Sequence, residues 1–286
     1  MIIAKLQGGL GNQMFQYAAA RKLSVKYGVD LLLDHSYLER NSQDRYGFTA
    51  RNFELEVFRI TANRFSPEMV DKFFDAKEVE HIELYNEKPV SYDAFFKKVS
   101  DCAYINGYFQ SYRYFEDIRQ ILSVDFSFNH NPEIVLNSST ISQIRNANAV
   151  AIHIRRGDYV SQSNIHNLYY ILPLSYYQKA INIVLEKQPN LEFFVFSDDI
   201  RWAEQNLVHS KAKLHFVLKN NSPNWLDMYL MSICKHNIIA NSTFSWWAAW
   251  LNNNEDKIVI APKKWFQQPR EGIKLRDLCP SEWIKM

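Results

Sequence analysis

The residues best equipped for chemistry are His153, Arg155, Arg156 and Asp158, which follow an apolar, partly β-branched run in A-V-A-I-H-I-R-R-G-D-Y-V, residues 149–160. Two guanidiniums and a carboxylate beside a glycine form a cradle for an anionic ligand, because arginine presents a planar fork of donors that matches phosphate oxygens. Strand alternation places His153 and Arg155 on one face, with Ile152, Ile154 and Arg156 on the other. Two further polar clusters end apolar runs: Ser197-Asp198-Asp199 after F-F-V-F, and Asn241-Ser242-Thr243-Phe244-Ser245 after residues 237–240. One ligand can touch all three clusters if the strands are parallel neighbours, since open α/β sheets bind ligands outside the carboxyl ends of their strands. Ser242 or Thr243 can cap the helix that opens there, or the first-turn amides can meet a phosphate. Asp198 suits the adjacent N–H donors of a guanine edge, with capping of the helix from Ile200 as the competing role. Asp198 and Asp199 make a weak metal site, because no third ligand stands near them.

A second candidate lies at the start of the chain, where Q-G-G-L-G-N-Q joins a strand at 2–6 to a helix at 14–27. The turn lacks both the Lys-Ser/Thr ending of a P-loop and the spacing of the dinucleotide fingerprint, which argues against an ATPase or a dehydrogenase. Gly8, Gly9 and Gly11 let a ligand approach the backbone closely, and Asn12 and Gln13 either meet it or cap the turn.

The elements that must carry these residues are those of a doubly wound fold. Strand, glycine turn, helix and a strand at 29–33 form one βαβ unit. A strand is expected at 104–110 and helices at 112–122 and 132–145. From residue 149 onward strands and helices alternate, which implies a parallel sheet. The regular half therefore spans 148–286 and the less regular half 1–147. The polar stretch 34–52 reads as a long loop, a candidate acceptor or lid segment. Trp246, Trp247, Trp250 and Leu251 recur at helical spacing and read as a packed face rather than a sugar platform.

Composition narrows the partners. A net charge of +2 in 286 residues gives no global field for nucleic acid, so anion binding must be local. Three distant cysteines, Cys102, Cys234 and Cys279, fit a reducing compartment and no zinc site. Without a long apolar run or a signal-peptide pattern, the expectation is a soluble, cytoplasmic protein with at most peripheral membrane contact.

Five motifs together resemble the α-1,2-fucosyltransferases of glycosyltransferase family eleven: G-G-L-G-N-Q-M-F-Q-Y-A at 8–18, G-Y-F-Q-S-Y-R-Y-F at 107–115, H-I-R-R-G-D-Y-V at 153–160, F-S-D-D at 196–199 and N-S-T-F-S-W-W-A-A-W-L at 241–251. The resemblance runs end to end. It implies a GT-B architecture, two Rossmann-like halves facing across a cleft, with an acceptor side at 1–147 and a GDP-fucose side at 148–286. It also implies inverting transfer of L-fucose from GDP-fucose to the 2-hydroxyl of a terminal β-galactoside, without a metal or other cofactor. The implied donor-binding set is Gly8, Gly9, Gly11, His153, Arg155, Arg156, Ser197, Asp198, Asn241, Ser242, Thr243, Phe244 and Ser245. Within it, Arg155 would grip the diphosphate, His153 and Asp198 would lie at the guanine, and Asn12 would face the moving sugar. Asp158 is either the base for the acceptor hydroxyl or an orienter, because two neighbouring arginines pull its pKa down. Tyr108, Gln110 and Ser111 are the acceptor-binding candidates, with structural roles open for Tyr108 and Ser111. Two other readings remain: another acceptor or linkage, and a non-catalytic guanine-nucleotide-binding module.

Overall fold

The computed structural model describes residues 1–44, 49–75, 81–88, 92–132, 139–161, 167–218, 222–268 and 277–286. Unit 1 comprises Met1–Asn129 with Arg270–Cys279, and unit 2 comprises His130–Pro269 with Pro280–Met286. Neither unit is a single stretch of chain. The division at 129/130 lies well before the expected 147/148, because the helix Ser139–Asn146 packs against the strand that follows it.

Unit 1 is built on a five-stranded parallel sheet of β1 (Ile2–Lys5), β2 (Leu31–Asp34), β3 (Asn63–Phe65), β4 (Glu83–Asn86) and β5 (Ala103–Asn106), in the order β3-β2-β1-β5-β4. Apolar β1 lies in the middle, where both faces are covered. The helix Leu10–Tyr27 starts four residues earlier than the apolar pattern indicated and stops at Gly28, whose φ of 65° suits a left-handed C-cap. The strand expected at 104–110 ends at Asn106, and 107–110 is irregular, with Phe109 at a φ of 50°. The helix expected at 112–122 is instead two short 3-10 turns followed by an α-helix at Arg119–Asp125. The stretch 34–52 is not all loop, since Ser36–Arg40 is helical; residues 45–48 lie outside the described residues.

Unit 2 is built on a six-stranded parallel sheet of β6 (Asn148–Ile154), β7 (Leu191–Ser197), β8 (Lys213–Phe216), β9 (His236–Ile238), β10 (Val259–Ala261) and β11 (Ile284–Lys285), in the order β11-β10-β9-β6-β7-β8. The helix Leu174–Lys187 brings Tyr177, Ala180, Ile181 and Val184 against Val150, Ile152, Ile154, Phe193 and Val195. These residues recur at three and four along one helix face, which is what docks the helix on the sheet. The helix Thr243–Leu251 buries Trp246, Trp247 and Trp250, with ring centroids of the first two 5.0 Å apart. The tryptophans are core, as their spacing indicated.

Candidate active site

β6 is flanked by β7 and β9, all parallel, with Ile154 opposite Ser197 and Ile152 opposite Ile238. The three polar clusters therefore emerge from neighbouring strand ends on one edge of one sheet. Strand alternation holds only as far as Ile154, where β6 ends, so it does not separate Arg155 from Arg156. Both arginines turn toward the end of β7. Arg155 Nη1 pairs with Asp198 Oδ2 at 3.0 Å, and its guanidinium lies 5.5 Å from the centroid of the Tyr159 ring. Arg156 donates its backbone N–H to Asp198 Oδ1 at 2.8 Å, while its guanidinium stacks 3.6 Å from the Trp202 ring centroid, beside Asp199.

Asp198 is thus committed within the site, one oxygen to a guanidinium and one to an amide. A Cβ on Gly157 would stand 2.7 Å from Asp198 Oδ2, so a glycine is what lets the carboxylate reach this position. Capping of the next helix falls to Asp199, whose side chain accepts the Trp202 N–H, and Ser197 Oγ accepts the Asp199 N–H. His153 is buried, with its ring 5.9 Å from that of Phe244 and its Nδ1 without a hydrogen-bond partner among the described residues. Burial pushes the imidazole pKa down; Asp198 opposes the shift and Arg155 adds to it, so the ring is neutral at physiological pH.

Asn241 is buried and braces two loops, donating through Nδ2 to the carbonyls of Tyr170 and Trp265 at 2.8 Å each. Its own carbonyl accepts the Tyr159 hydroxyl at 3.0 Å. Ser242 occupies the N-cap position of Thr243–Leu251 in extended conformation, but its hydroxyl makes no capping bond. Ser245 is fully buried and donates back to the Ser242 carbonyl. Thr243 and Phe244, partly accessible, open the helix beside His153. Asp158 falls in the helix Gly157–Ser161, and its side chain lies outside the described residues.

In unit 1 the glycine turn is held from inside. Gln13, fully buried, donates to the carbonyls of Gly8 and Asn52 and accepts the Glu54 N–H. Glu54 Oε2 accepts the Leu10 N–H at 2.7 Å, so a carboxylate already serves this helix N-terminus. Burial raises the Glu54 pKa, and that backbone hydrogen bond opposes the shift. Gly8 has a φ of 77°, and a Cβ there would overlap the Asn12 side chain; Gly11 is buried in the helix that follows. Two predicted residues meet here, since Gln110 Nε2 donates to Asn12 Oδ1 at 2.9 Å. Tyr108 is 38% exposed, whereas Ser111 is buried and donates its hydroxyl to the Asp277 carbonyl at 2.7 Å.

The sequence matches the family described as Glycosyl transferase family 11 along residues 1–286. The chain belongs to that family. This family 11 chain is 35% identical to the O-antigen biosynthesis glycosyltransferase WbnK of Escherichia coli, over 98% of this chain and 99% of that one. It is 34% identical to an alpha-1,2-colitosyltransferase of Escherichia coli, over 100% of this chain and 99% of that one. Its fold resembles that of fucosyltransferase NodZ from Bradyrhizobium, with a TM-score of 0.52 at 12% identity over 86% of this chain and 91% of that one. The likeness is one of fold: GT-B, with two parallel-sheet halves.

Sequence reasoning in this family 11 chain passed over two residues that pack or brace these segments, Tyr159 and Glu54. Tyr159 stands inside the arginine motif and stacks on Tyr169 at 4.6 Å with an interplanar angle of 8°. Its aromatic ring next to Arg155 was the available signal. Glu54 carried none, because a lone carboxylate in irregular sequence looks like surface. No helix among the described residues is long and apolar enough to cross a membrane, and no cluster of three His, Cys, Asp or Glu among them could hold a metal ion.

Proposed function

We propose that this chain transfers L-fucose from GDP-fucose to the 2-hydroxyl of a terminal β-galactoside, with inversion and without a metal. The observation that carries the reading is the Arg155–Asp198–Arg156 cluster at the crossing of three parallel strand ends, in a family 11 glycosyltransferase. In this reading unit 2 takes the donor. Arg155, with 25% of its side chain exposed, binds the diphosphate. The neutral His153 and Phe244 line the guanine, and Ser242 and Thr243 present the start of their helix to the nucleotide. As the acceptor oxygen bonds to C1 of fucose, the C1–O bond to GDP breaks and its electron pair passes to the β-phosphate. A fixed guanidinium stabilises that developing charge, which is the work a divalent cation does in metal-dependent transferases. The acceptor hydroxyl gives up its proton to Asp158, or to water if C1–O cleavage runs ahead of proton loss. Unit 1 takes the acceptor through Tyr108 and Gln110, and Asn12 faces the moving sugar.

Support for metal independence comes from the two adjacent carboxylates, since Asp198 serves Arg155 and the Arg156 amide and Asp199 caps its helix. The test is incubation with GDP-fucose and lactose in excess EDTA, followed by linkage analysis. The expected product carries fucose α-1,2-linked to galactose. Activity abolished by EDTA and restored by Mg²⁺ overturns the arginine argument, and a linkage elsewhere overturns the regiochemistry.

A second donor is favoured by one observation, the 34% identity to an alpha-1,2-colitosyltransferase. Colitose lacks the 3-hydroxyl of fucose. Competition between the two activated sugars for transfer to lactose separates the readings.

A further inference from the structure

The segment Gly107 to Gln110 begins one of the motifs, yet its sequence reads only as the tail of a strand. β4 and β5 stop together, and their last rung is the Glu87 N–H donating to the Asn106 carbonyl at 2.8 Å. The Glu87 side chain then reaches the turn beyond, where its Oε2 accepts two successive amides, Tyr108 N–H at 2.7 Å and Phe109 N–H at 2.8 Å. A Cβ on Gly107 would overlap the Glu87 side chain, so only glycine lets it pass.

Two successive amides converging on one carboxylate oxygen form an anion nest, with charge-assisted bonds stronger than neutral ones. They hold Phe109 in the left-handed region, a conformation that costs a bulky residue about 1–3 kcal/mol. The Phe109 ring is fully buried, with centroids 5.4 Å from Phe96 and 5.5 Å from Tyr114. With Phe109 turned inward, its neighbours point elsewhere. Tyr108 is partly exposed, and Gln110 bonds to Asn12 at the glycine turn.

We propose that Glu87 is a positioning residue: by clamping the Tyr108 and Phe109 amides it fixes the side chains of Tyr108 and Gln110 for acceptor binding. This rests on the reading of unit 1 as the acceptor side. Oε1 of Glu87 is buried, so Glu87 acts through the segment and does not touch the sugar. The titratable groups around Glu87 are Asp93 and the hydroxyls of Tyr85 and Tyr114. Burial, with Asp93 adding, raises its carboxyl to about 7, against the pull of the two amides and the Tyr114 hydroxyl. The charged clamp therefore weakens as pH falls through neutrality.

The test uses the full chain with GDP-fucose and lactose. Glu87→Ala is expected to raise the lactose KM by about tenfold or more, the scale of a displaced binding group, with little change in the GDP-fucose KM. Glu87→Gln keeps an acceptor oxygen without the charge; it should recover part of the loss, match the wild type at low pH, and abolish the rise in lactose KM from about pH 8 to pH 6. Amide exchange gives a readout independent of turnover. The Tyr108 and Phe109 amides should be protected in the wild type and in Glu87→Gln, and exposed in Glu87→Ala. Unchanged protection in Glu87→Ala, or an unchanged lactose KM while Tyr108→Ala and Gln110→Ala raise it, overturns the role of Glu87. If Tyr108→Ala and Gln110→Ala also leave the lactose KM untouched, the acceptor reading fails instead, and amide exchange still decides whether Glu87 is the clamp.

Discussion

Asp198 joins two roles that sequence motifs keep apart. The arginine motif and the F-S-D-D motif lie some forty positions apart, and a reading residue by residue gives the diphosphate to one and the guanine to the other. In the fold they are one ion pair, with the Arg156 amide as a third member. A carboxylate held at 3.0 Å from a guanidinium orients it in advance of any ligand, and this preorganisation lowers the ordering cost of binding. Gly157→Ala should displace the carboxylate, because the added Cβ would lie 2.7 Å from Oδ2. Calorimetry is expected to show GDP binding weakened by about tenfold, roughly 1.4 kcal/mol, with a smaller loss for guanosine. Equal losses for both ligands would remove Arg155 from the diphosphate. The placement was legible at this scale: the histidine, arginines and glycine stand at the end of β6, where the apolar run puts them. The pairings were not, because a carboxylate that caps, one that orients a guanidinium and one that binds a base carry the same letter.

Elements were legible where burial set their pattern. β6, β7 and the helices Ile200–Asn206 and Thr243–Leu251 fall where apolar runs and helical spacing put them. β3, β4 and β11 were missed, since N-R-F, E-L-Y-N and I-K gain their pairing from backbone hydrogen bonds at a sheet edge and show little apolar periodicity. The strand expected at 104–110 was overdrawn because aromatic letters, Tyr108 and Phe109, continue past Asn106, whereas the glycine and the carboxylate of Glu87 end it. Between elements, Tyr176 acts as a clamp: its hydroxyl donates to the carbonyl of Ile239 at 2.8 Å and lies 3.3 Å from that of Ile260. It ties the ends of β9 and β10 just before the Asn241 loop. Tyr176→Phe removes the hydroxyl donor of the buried Ile239 carbonyl, while the Ile260 carbonyl keeps the Ile239 N–H at 2.9 Å, and should lower stability by about 1 kcal/mol in denaturant unfolding. An unchanged midpoint would mean that water replaces the hydroxyl.

For the whole molecule, the proposed binding of the nucleotide by unit 2 has a measurable signature. A ligand that binds only the folded state stabilises it by mass action, about 2.7 kcal/mol at a hundredfold excess over its Kd. GDP at that concentration should slow amide exchange in β6, β7 and β9 by the corresponding factor and leave β1, β2 and β5 with much smaller changes. Equal protection of both sheets would place the nucleotide otherwise. The two-half organisation was legible from the alternation of strands and helices, but the return of residues 270–279 to unit 1 was not. No local pattern reports which sheet a late segment will join. That return also sets the order of assembly during synthesis. Asp277, whose carbonyl takes the Ser111 hydroxyl and whose carboxylate meets Arg113 at 3.1 Å, leaves the ribosome after nearly all of unit 2 has emerged. The strands of unit 1 are translated before those of unit 2, yet Ser111 and Arg113 lack Asp277 until most of unit 2 has followed, so a nascent chain cut short before Asp277 presents the Ser111 hydroxyl and the Arg113 guanidinium without these two bonds to whatever chaperone or protease samples it.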